Sequence, residues 1–303
     1  MNIKMSPGQG GQYSQNPVIR ASREPKKPND QVAMYVQQLF GNEDERTAAL
    51  EYLSKEREKI PEIAIYIWYS SSIMSMLLSE IVSIYPYLLT NNLNKPLSNR
   101  VYKILALLQS VAGHDDTRIP FVHANIPVYL FPFLHQTGTS QEAEFLKLTS
   151  LGIIGSLVKA EQPEIIDYLL QAEFVPLCLR ILKFSQEIPR TVAAFIIHKI
   201  LSDSGGAKFI SSQKDKFDTL LGVMNKVLLY LSENFTARLS KHVVASYEIL
   251  LKMPEYEKVL TKKYAFELSQ IKVSPKCDEA FSSLIRIILD KILKIYPDIA
   301  QGL

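Results

Sequence analysis

Two successive segments share one design: NRVYKILALLQSVAGHDDTRIPFVHANIPVYLFPFL, Asn99–Leu134, and FLKLTSLGIIGSLVKAEQPEIIDYLLQAEFVPLCLRIL, Phe145–Leu182. Each predicts a long apolar helix, a polar turn, a short helix and then a helix that begins with proline. Matching positions recur 46 to 49 residues apart, as listed here for two pairs: Leu107-Leu108 with Ile153-Ile154, and Pro127 with Pro176. The second segment therefore repeats the structure of the first.

A helical repeat with a period in the forties is typical of armadillo and HEAT solenoids. No segment of the chain alternates apolar and polar residues as a strand would. The sequence therefore predicts an all-α fold, a right-handed armadillo-repeat solenoid of about six three-helix repeats. Because adjacent repeats share a core, residues 30–298 are expected to form one armadillo-repeat domain. Residues 1–28 are rich in Gly, Gln, Asn, Ser and Pro and are expected to form a disordered tail.

Proline and glycine set three expected boundaries outside the two quoted segments. Pro61 is expected to begin a long helix that runs to about Tyr85 and ends at Pro86. Gly205-Gly206 is expected to break the helix that begins at Pro189. A further long helix is predicted from Ala237 to Met253.

The bulk composition excludes several classes of protein. The formal net charge is +3, which is too small to indicate a nucleic-acid-binding protein, although charges can still segregate along a solenoid. Cys178 and Cys277 are the only cysteines and form neither a disulfide framework nor a zinc motif. The N-terminus lacks the apolar core of a signal peptide, and the apolar stretch 63–89 is interrupted by many serines. These features predict a soluble intracellular protein without a membrane partner.

Motifs for chemistry are missing from the sequence. The five histidines have no metal-binding spacing, and no phosphate-binding glycine loop or nucleophile elbow occurs. In His114-Asp115-Asp116, one of the aspartates is expected to cap the following turn. His198 and Trp68 are interpreted as packing residues. We therefore expect no enzyme activity, no catalytic residue, no cofactor and no metal.

In armadillo units the last helix of each repeat lines the concave face, so a ligand meets the N-terminal halves of these helices. Those halves carry Asn99, Arg100, Phe145, Lys147, Thr149, Arg190, Thr191, Val192, Arg238, Lys241 and His242. A peptide could place apolar anchors against Phe145 and Val192. Alternatively, single-stranded nucleic acid could follow the basic residues Arg100, Lys147, Arg190, Arg238 and Lys241. A cargo carrier of the import-receptor type is disfavoured because the chain has one Trp.

The chain resembles a known family through a series of long motifs. They are IYP at 84–86, SNRV at 98–101, LALLQ at 105–109, YLFPFLH at 129–135, LTSLG at 148–152, LVK at 157–159, VPLCLRI at 175–181, KIL at 199–201, ARL at 237–239 and KHVV at 241–244. These residues resemble the "required for cell differentiation" family, the armadillo-repeat subunit of the Ccr–Not deadenylase complex. The resemblance covers about 31–255.

The resemblance implies a non-catalytic adaptor of the cytoplasm and nucleus. Such an adaptor docks on the Not1 scaffold and binds short linear motifs of RNA-associated regulators, promoting mRNA deadenylation, decay and translational repression. It further implies weak nucleic-acid binding in the groove and a homodimer when the chain is free of the scaffold. The implied sites are Phe145, Gly152, Thr191 and Val192 for peptides, and Tyr69, Ser71, Ser75 and Val82 for the scaffold.

Animal members of that family also carry pockets for tryptophan side chains. Here Lys214 and Lys216 stand where Tyr and Arg are expected, and Glu255 replaces a basic residue. An aromatic wall that becomes an ammonium loses stacking worth about 0.5–1.5 kcal/mol. We therefore expect no tryptophan binding.

Overall fold

The computed structural model describes residues 30–90, 92–136, 140–260 and 262–297, and all its regular elements within these ranges are helices. The all-α prediction is confirmed. The expected disordered tail, 1–28, lies outside the described residues. The helices are α1 Asp30–Gln38, α2 Glu43–Glu56, α3 Ile63–Tyr69, α4 Ile73–Ser83, α5 Tyr85–Leu89, α6 Lys95–Gly113, α7 Asp115–His123, a 3₁₀ helix Ile126–Leu130, α8 Phe131–Leu134, α9 Gln141–Val158, α10 Pro163–Gln171, α11 Phe174–Phe184, α12 Glu187–Ser202, α13 Ser204–Ser212, α14 Lys214–Glu233, α15 Ala237–Leu250, α16 Pro254–Val259, α17 Lys262–Ser269 and α18 Glu279–Ile295.

Long helices recur along the chain and pack side by side in sequence order. Helix α2 packs on α6, α6 on α9, α9 on α12, α12 on α15, and α15 on α18. These six helices form a ladder, which agrees with about six repeats. The helices outside the ladder also stack in sequence order, the short α7 on α10 and α10 on α13, and α11 on the longer α14.

Polar residues at the helix starts explain where several of these elements begin. Helix α2 begins with a capping box, in which the side chains of Asn42 and Glu45 each accept a hydrogen bond from the other's backbone N–H. Asn94, Ser140 and Asp278 cap α6, α9 and α18 through a single side-chain oxygen. Such caps satisfy N–H groups that have no partner inside the helix.

One continuous hydrophobic core joins the repeats, from Val32 in α1 to Ile292 in α18. Each long helix contributes an apolar stripe at helical spacing. Cys178 in α11 belongs to this core and is 2% exposed. Burial raises the pKa of its thiol to about 12.

The long helix expected from Pro61 to Tyr85 is wrong, because the chain bends sharply in the serine run. Helix α3 ends before Ser70, which is extended, and Ser72 adopts a left-handed conformation with φ of 65°. The bend lets α3 and α4 both bury apolar stripes in the core, which a straight helix would not allow. Among the described residues, no single helix has the length and apolar composition of a membrane span. Only the pair Ile63–Tyr69 and Ile73–Leu89, bent by 91°, meets that test jointly.

Proline begins helical segments here more often than it ends them. Pro86 lies in the first turn of α5 and does not end the preceding helix, which stops at Ser83. Pro127 and Pro132 begin the 3₁₀ helix and α8, so the first repeat has two short helices where the second has the continuous α11. A second proline removes a backbone donor that a continuous helix would need.

The expected role of Gly205-Gly206 as a helix breaker is also wrong. Helix α12 already ends at Ser202, and both glycines lie in the first turn of α13. Asp203 caps α13 by accepting a hydrogen bond from the Gly206 N–H at 2.8 Å. A Cβ atom at Gly206 would lie 2.2 Å from the Ile200 oxygen, so glycine allows the two helices to approach at this corner.

Candidate binding groove

The four central helices of the ladder, α6, α9, α12 and α15, leave one face open to solvent. We call this the ladder face. Its exposed or half-exposed side chains follow helical spacing. They are Asn99, Tyr102, Lys103 and Gln109 on α6; Phe145, Thr149, Gly152 and Ser156 on α9; Thr191, Val192, Phe195, His198 and Lys199 on α12; and Arg238, Lys241, His242 and Ala245 on α15.

Ring contacts join neighbouring helices across the ladder face. The rings of Tyr102 and Phe145 lie 4.6 Å apart between centroids, and Phe145 remains 40% exposed. Phe195 meets His242 edge-to-face at 5.3 Å, and His242 lies 6.3 Å from His198. The face therefore combines these aromatic contacts with polar side chains, and a cavity of about 380 Å³ lies at Asn99 and Lys103 on its α6 edge.

The structure places all four peptide-binding candidates, Phe145, Gly152, Thr191 and Val192, on the ladder face. Gly152 is half-exposed, and the amide of Gln109 approaches it from α6. The Thr191 hydroxyl donates to the Glu187 oxygen of its own helix at 2.9 Å, so its methyl group is the part left for packing. Sequence reasoning missed Tyr102 and Phe195, although each lies three or four residues from a predicted face residue.

The predicted basic track is interrupted at α6. Arg100 makes a two-pronged ion pair with Glu80 at 2.8 and 2.9 Å, and it also pairs with Glu43. Burial alone would raise the pKa of Glu80, but Arg100 and Arg46 outweigh it and hold that pKa below its usual value. Arg100 is therefore part of an ion network that joins α2, α4 and α6.

Lys147 does not belong to a surface track, which corrects the sequence-based assignment. It is 4% exposed, and its ammonium pairs with Glu144 one turn earlier, at 2.5 Å. Arg190 is half-buried; it donates to the Ser185 oxygen at 2.9 Å and stacks on Tyr230 at 4.1 Å. Two basic residues remain, Arg238 and Lys241, which lie one turn apart on α15. Both are exposed, and neither forms an ion pair within the described ranges.

The half-buried pair His198 and His242 lies where α12 meets α15. Burial lowers the pKa of both imidazoles; the charge of Lys199 lowers that of His198 further, and His198, Lys241 and Lys199 lower that of His242 further. Glu161 and Glu248 act in the opposite direction on His198. Both side chains are therefore neutral at pH 7 and add no charge to the ladder face. The expectation of a packing role for His198 agrees with its placement.

The scaffold candidates lie on the segment from the end of α3 to the end of α4: Tyr69 ends α3, Ser71 lies at the bend, Ser75 lies in the first turn of α4 and Val82 in its last turn. Tyr69 is 67% exposed and Val82 is 42% exposed, and Ser71 and Ser75 are exposed between them in the chain. Leu89 in the following helix is 86% exposed, a feature the sequence did not reveal. The segment from Tyr69 to Leu89 thus exposes apolar side chains that the core does not use.

A cavity of about 420 Å³ lies between α11 and α14, on the other side of the repeats from the ladder face. Leu179, Phe209 and Val223 contribute to its apolar wall. Lys216 lies at this cavity with its ammonium 5.2 Å from the Phe209 ring centroid and 3.2 Å from Glu173. Lys214 and Glu255, the other two departures from the family pattern, do not line the cavity. The loss of tryptophan binding stays a prediction.

The remaining candidates for chemistry have structural roles. His114, and not an aspartate, caps α7, because its Nδ1 accepts a hydrogen bond from the Asp116 N–H at 3.2 Å. Trp68 is partly buried against the core. Over the part of the chain that is described, no group of three or more His, Cys, Asp or Glu side chains could hold a metal ion.

Comparison with known proteins gives the chain relatives and a fold. Residues 35–300 match the family model described as "Cell differentiation family, Rcd1-like". The chain is 43% identical to the cell differentiation protein rcd1 of Schizosaccharomyces pombe over 215 residues, which is 71% of this chain and 76% of that protein. It is 41% identical to Protein CAF40 of Saccharomyces cerevisiae over 212 residues, 70% of this chain and 56% of that longer protein.

Solved structures with a similar fold are designed armadillo repeat proteins. One, in complex with the peptide (KR)4, superposes with a TM-score of 0.57 at 14% identity, over 86% of this chain and 99% of the other. Another, designed for modular peptide recognition, superposes with a TM-score of 0.57 at 16% identity, over 86% and 98%. These similarities confirm the predicted armadillo-repeat fold.

Proposed function

Because the chain belongs to the Rcd1-like cell differentiation family, we propose that it is a non-catalytic adaptor subunit of the Ccr–Not deadenylase complex. The observation that carries this proposal is the ladder face, an open surface on which aromatic rings of neighbouring helices meet among polar side chains. Such a surface suits an amphipathic helix or an extended peptide.

The adaptor has two surfaces with separate tasks. The segment from Tyr69 to Val82, with Ser71 and Ser75, docks on a helical segment of the Not1 scaffold. The ladder face binds short linear motifs of RNA-associated regulators. Binding both partners at once brings deadenylation, decay and translational repression to chosen messages in the cytoplasm and nucleus.

The alternative, a single-stranded nucleic-acid-binding module, has weaker support from the geometry. A continuous track needs free cations along the groove. Three of the five basic candidates, Arg100, Lys147 and Arg190, already engage protein partners. Steep loss of affinity with added salt would be the signature of the alternative.

Binding to the Not1 helical segment tests the scaffold surface. Tyr69→Asp/Val82→Asp should abolish co-purification, because charged groups at both positions oppose desolvation of the contact. Phe266→Asp/Ile287→Asp is the matched control, since these side chains are 59% and 49% exposed on other helices. Circular dichroism confirms folding of each variant. A folded native chain that fails to bind the segment would refute the scaffold role.

Affinity purification from the native cell tests the complex itself. The native chain should recover the deadenylase subunits, and the Tyr69→Asp/Val82→Asp variant should lose them. Recovery of unrelated proteins in their place would contradict membership of the complex.

A further inference from the structure

Charge is distributed unequally along the ladder face. We propose that its ligand is a peptide with an apolar part that packs against Tyr102, Phe145 and Val192 and an acidic part that lies over Arg238 and Lys241. This inference rests on the proposed peptide-binding function and specifies the chemistry of the partner.

The end of the ladder face formed by α6 and α9 is electrically neutralised. Arg100 pairs with Glu80 and Glu43, and Lys103 pairs with Glu51. Lys147 is buried beside Glu144. What this end offers to a ligand is the exposed part of the Tyr102–Phe145 ring pair, with Val192 on the next helix. Apolar side chains of a peptide are the groups that gain from such a surface.

The end formed by α15 carries charge without a counter-charge. Arg238 and Lys241 lie one turn apart on the exposed side of the helix, and neither forms an ion pair with a described residue. Glu248, the acidic residue of the same helix, lies seven positions after Lys241, about 10 Å along the axis. On α12, Lys199 is already paired with Glu161, and Arg190 donates to the Ser185 oxygen and stacks on Tyr230. Two like charges one turn apart are held near the helix start, where the helix dipole opposes cations, so an anionic partner would relieve both effects.

The spacing of the helices sets the length of the peptide. Neighbouring helices pack about 10 Å apart, so α15 lies about 20 Å from α9. A helical peptide rises about 1.5 Å per residue and needs about 13 residues to cover that distance. An extended peptide rises about 3.3 Å per residue and needs about six. The acidic residues should therefore lie about 13 residues from the apolar anchors in a helical peptide, or about six residues from them in an extended one.

Selection from a displayed library of random peptides tests the inference on the full chain. The native chain should select peptides that combine apolar anchors with Asp or Glu at a fixed separation. Arg238→Glu/Lys241→Glu should keep the anchors and select Lys or Arg at the former acidic positions. The matched control is Lys208→Glu/Lys226→Glu, which reverses two exposed lysines on α13 and α14, outside the ladder. It should select the same peptides as the native chain.

A selected peptide is then synthesised and its affinity measured by fluorescence anisotropy. Because charge reversal replaces two exposed ion pairs with contacts between like charges, it should weaken binding about tenfold. The effect should shrink in high salt. Replacing the peptide's acidic residues with Gln or Asn should weaken binding to the native chain and strengthen binding to the reversed variant, because it removes the repulsion between like charges.

Each other outcome has a defined meaning. Selected peptides without acidic residues, or identical selections by the native and reversed chains, would overturn the inference and leave the peptide-binding function standing. No enrichment from any chain would count against the peptide-binding function itself. Tight binding of a poly-uridine RNA that needs Arg238 and Lys241, with no acidic peptides selected, would overturn the inference in favour of a nucleic-acid ligand.

Discussion

The side-chain amide of Gln109 donates from Nε2 to the backbone oxygen of Gly152, 3.3 Å away, and so joins α6 to α9 on the ladder face. The same nitrogen also lies 3.3 Å from the Ser156 hydroxyl. A Cβ atom at Gly152 would lie 3.2 Å from this amide nitrogen. The missing side chain at Gly152 therefore leaves room for the Gln109 amide as well as for a ligand on the ladder face.

We expect Gly152→Ala to change the free energy of unfolding by less than about 1 kcal/mol. Alanine gains about 0.5–1 kcal/mol of helix stability, and displacement of Gln109 costs about 0.5–1.5 kcal/mol of hydrogen bonding. Urea unfolding measures the balance. A loss of several kcal/mol would show that the Gln109 amide cannot move.

Gly152→Leu should weaken a peptide bound to the ladder face at least tenfold, because the new side chain occupies the open surface. The matched control is Gly113→Leu, where a Cβ atom meets nothing within 4 Å at the end of α6. Fluorescence anisotropy with a library-selected peptide gives both affinities. Equal affinities for the two variants would show that the peptide does not bind at Gly152.

Lys147→Met should destabilise the fold by about 1–3 kcal/mol, because the variant leaves the partly buried Glu144 carboxylate without its partner. Lys147→Met/Glu144→Gln should recover part of that loss. Arg238→Met, at an exposed position, should stay within about 0.5 kcal/mol of the native chain. Equal, small effects at both positions would mean that Lys147 is a surface residue after all.

Ser72→Gly should stabilise the protein by about 0.5–1 kcal/mol. Ser72 has φ of 65° and makes no side-chain capping bond, and glycine adopts this conformation without steric cost. Ser75→Gly, inside α4, should have the opposite sign and a similar size. Thermal unfolding of the two variants checks this. A loss of stability for both variants would contradict backbone strain at Ser72.

Stability should fall as the pH drops below about 6.5, the ordinary pKa of histidine. The pKa values of His135, His198 and His242 are lowered in the folded chain, so in that window the unfolded chain binds more protons. The contribution is fully present above pH 6.5 and is lost as the pH falls through the lowered values. The pKa values of the paired carboxyl groups of Glu51 and Glu80 are held below 4.5, so their contribution to stability is present above that pH and is lost only at more acidic pH.

The histidine pair can be isolated by substitution. Urea unfolding at about pH 7.5 and about pH 5.5 should show a smaller pH dependence for His198→Gln/His242→Gln than for the native chain, with the remainder left to His135. An unchanged pH dependence would show that the pair does not control acid stability.

The ladder could be predicted from the sequence because its signal is repeated. Helices such as α6 and α9 carry apolar residues at helical spacing, and the matching positions of Pro127 and Pro176 fix the period. Capping residues such as Asn94 and Ser140 mark the starts. Along these helices the local helix propensity and the tertiary packing favour the same structure, so a single sequence is sufficient to predict them.

The corner at Ser70–Ser72 and the burial of Lys147 could not be predicted in the same way. Serine is compatible with a helix, and the bend follows from two apolar stripes that must both meet the core. Lys147 lies two residues after the exposed Phe145, but its side chain is on the buried side of α9. The glutamate one turn earlier was the available signal, since a buried lysine requires a partner.

Because Cys178 is buried, the two cysteines of the folded protein differ in their reactivity toward thiol reagents. With its thiol enclosed and its pKa near 12, this cysteine is unreactive while the second repeat stays closed. Cys277, half-buried before α18, is the other cysteine of the chain and the one a maleimide dye can reach. A single dye can therefore be attached without mutagenesis. The rate at which dye then reacts with Cys178 would measure how often the helices around α11 open.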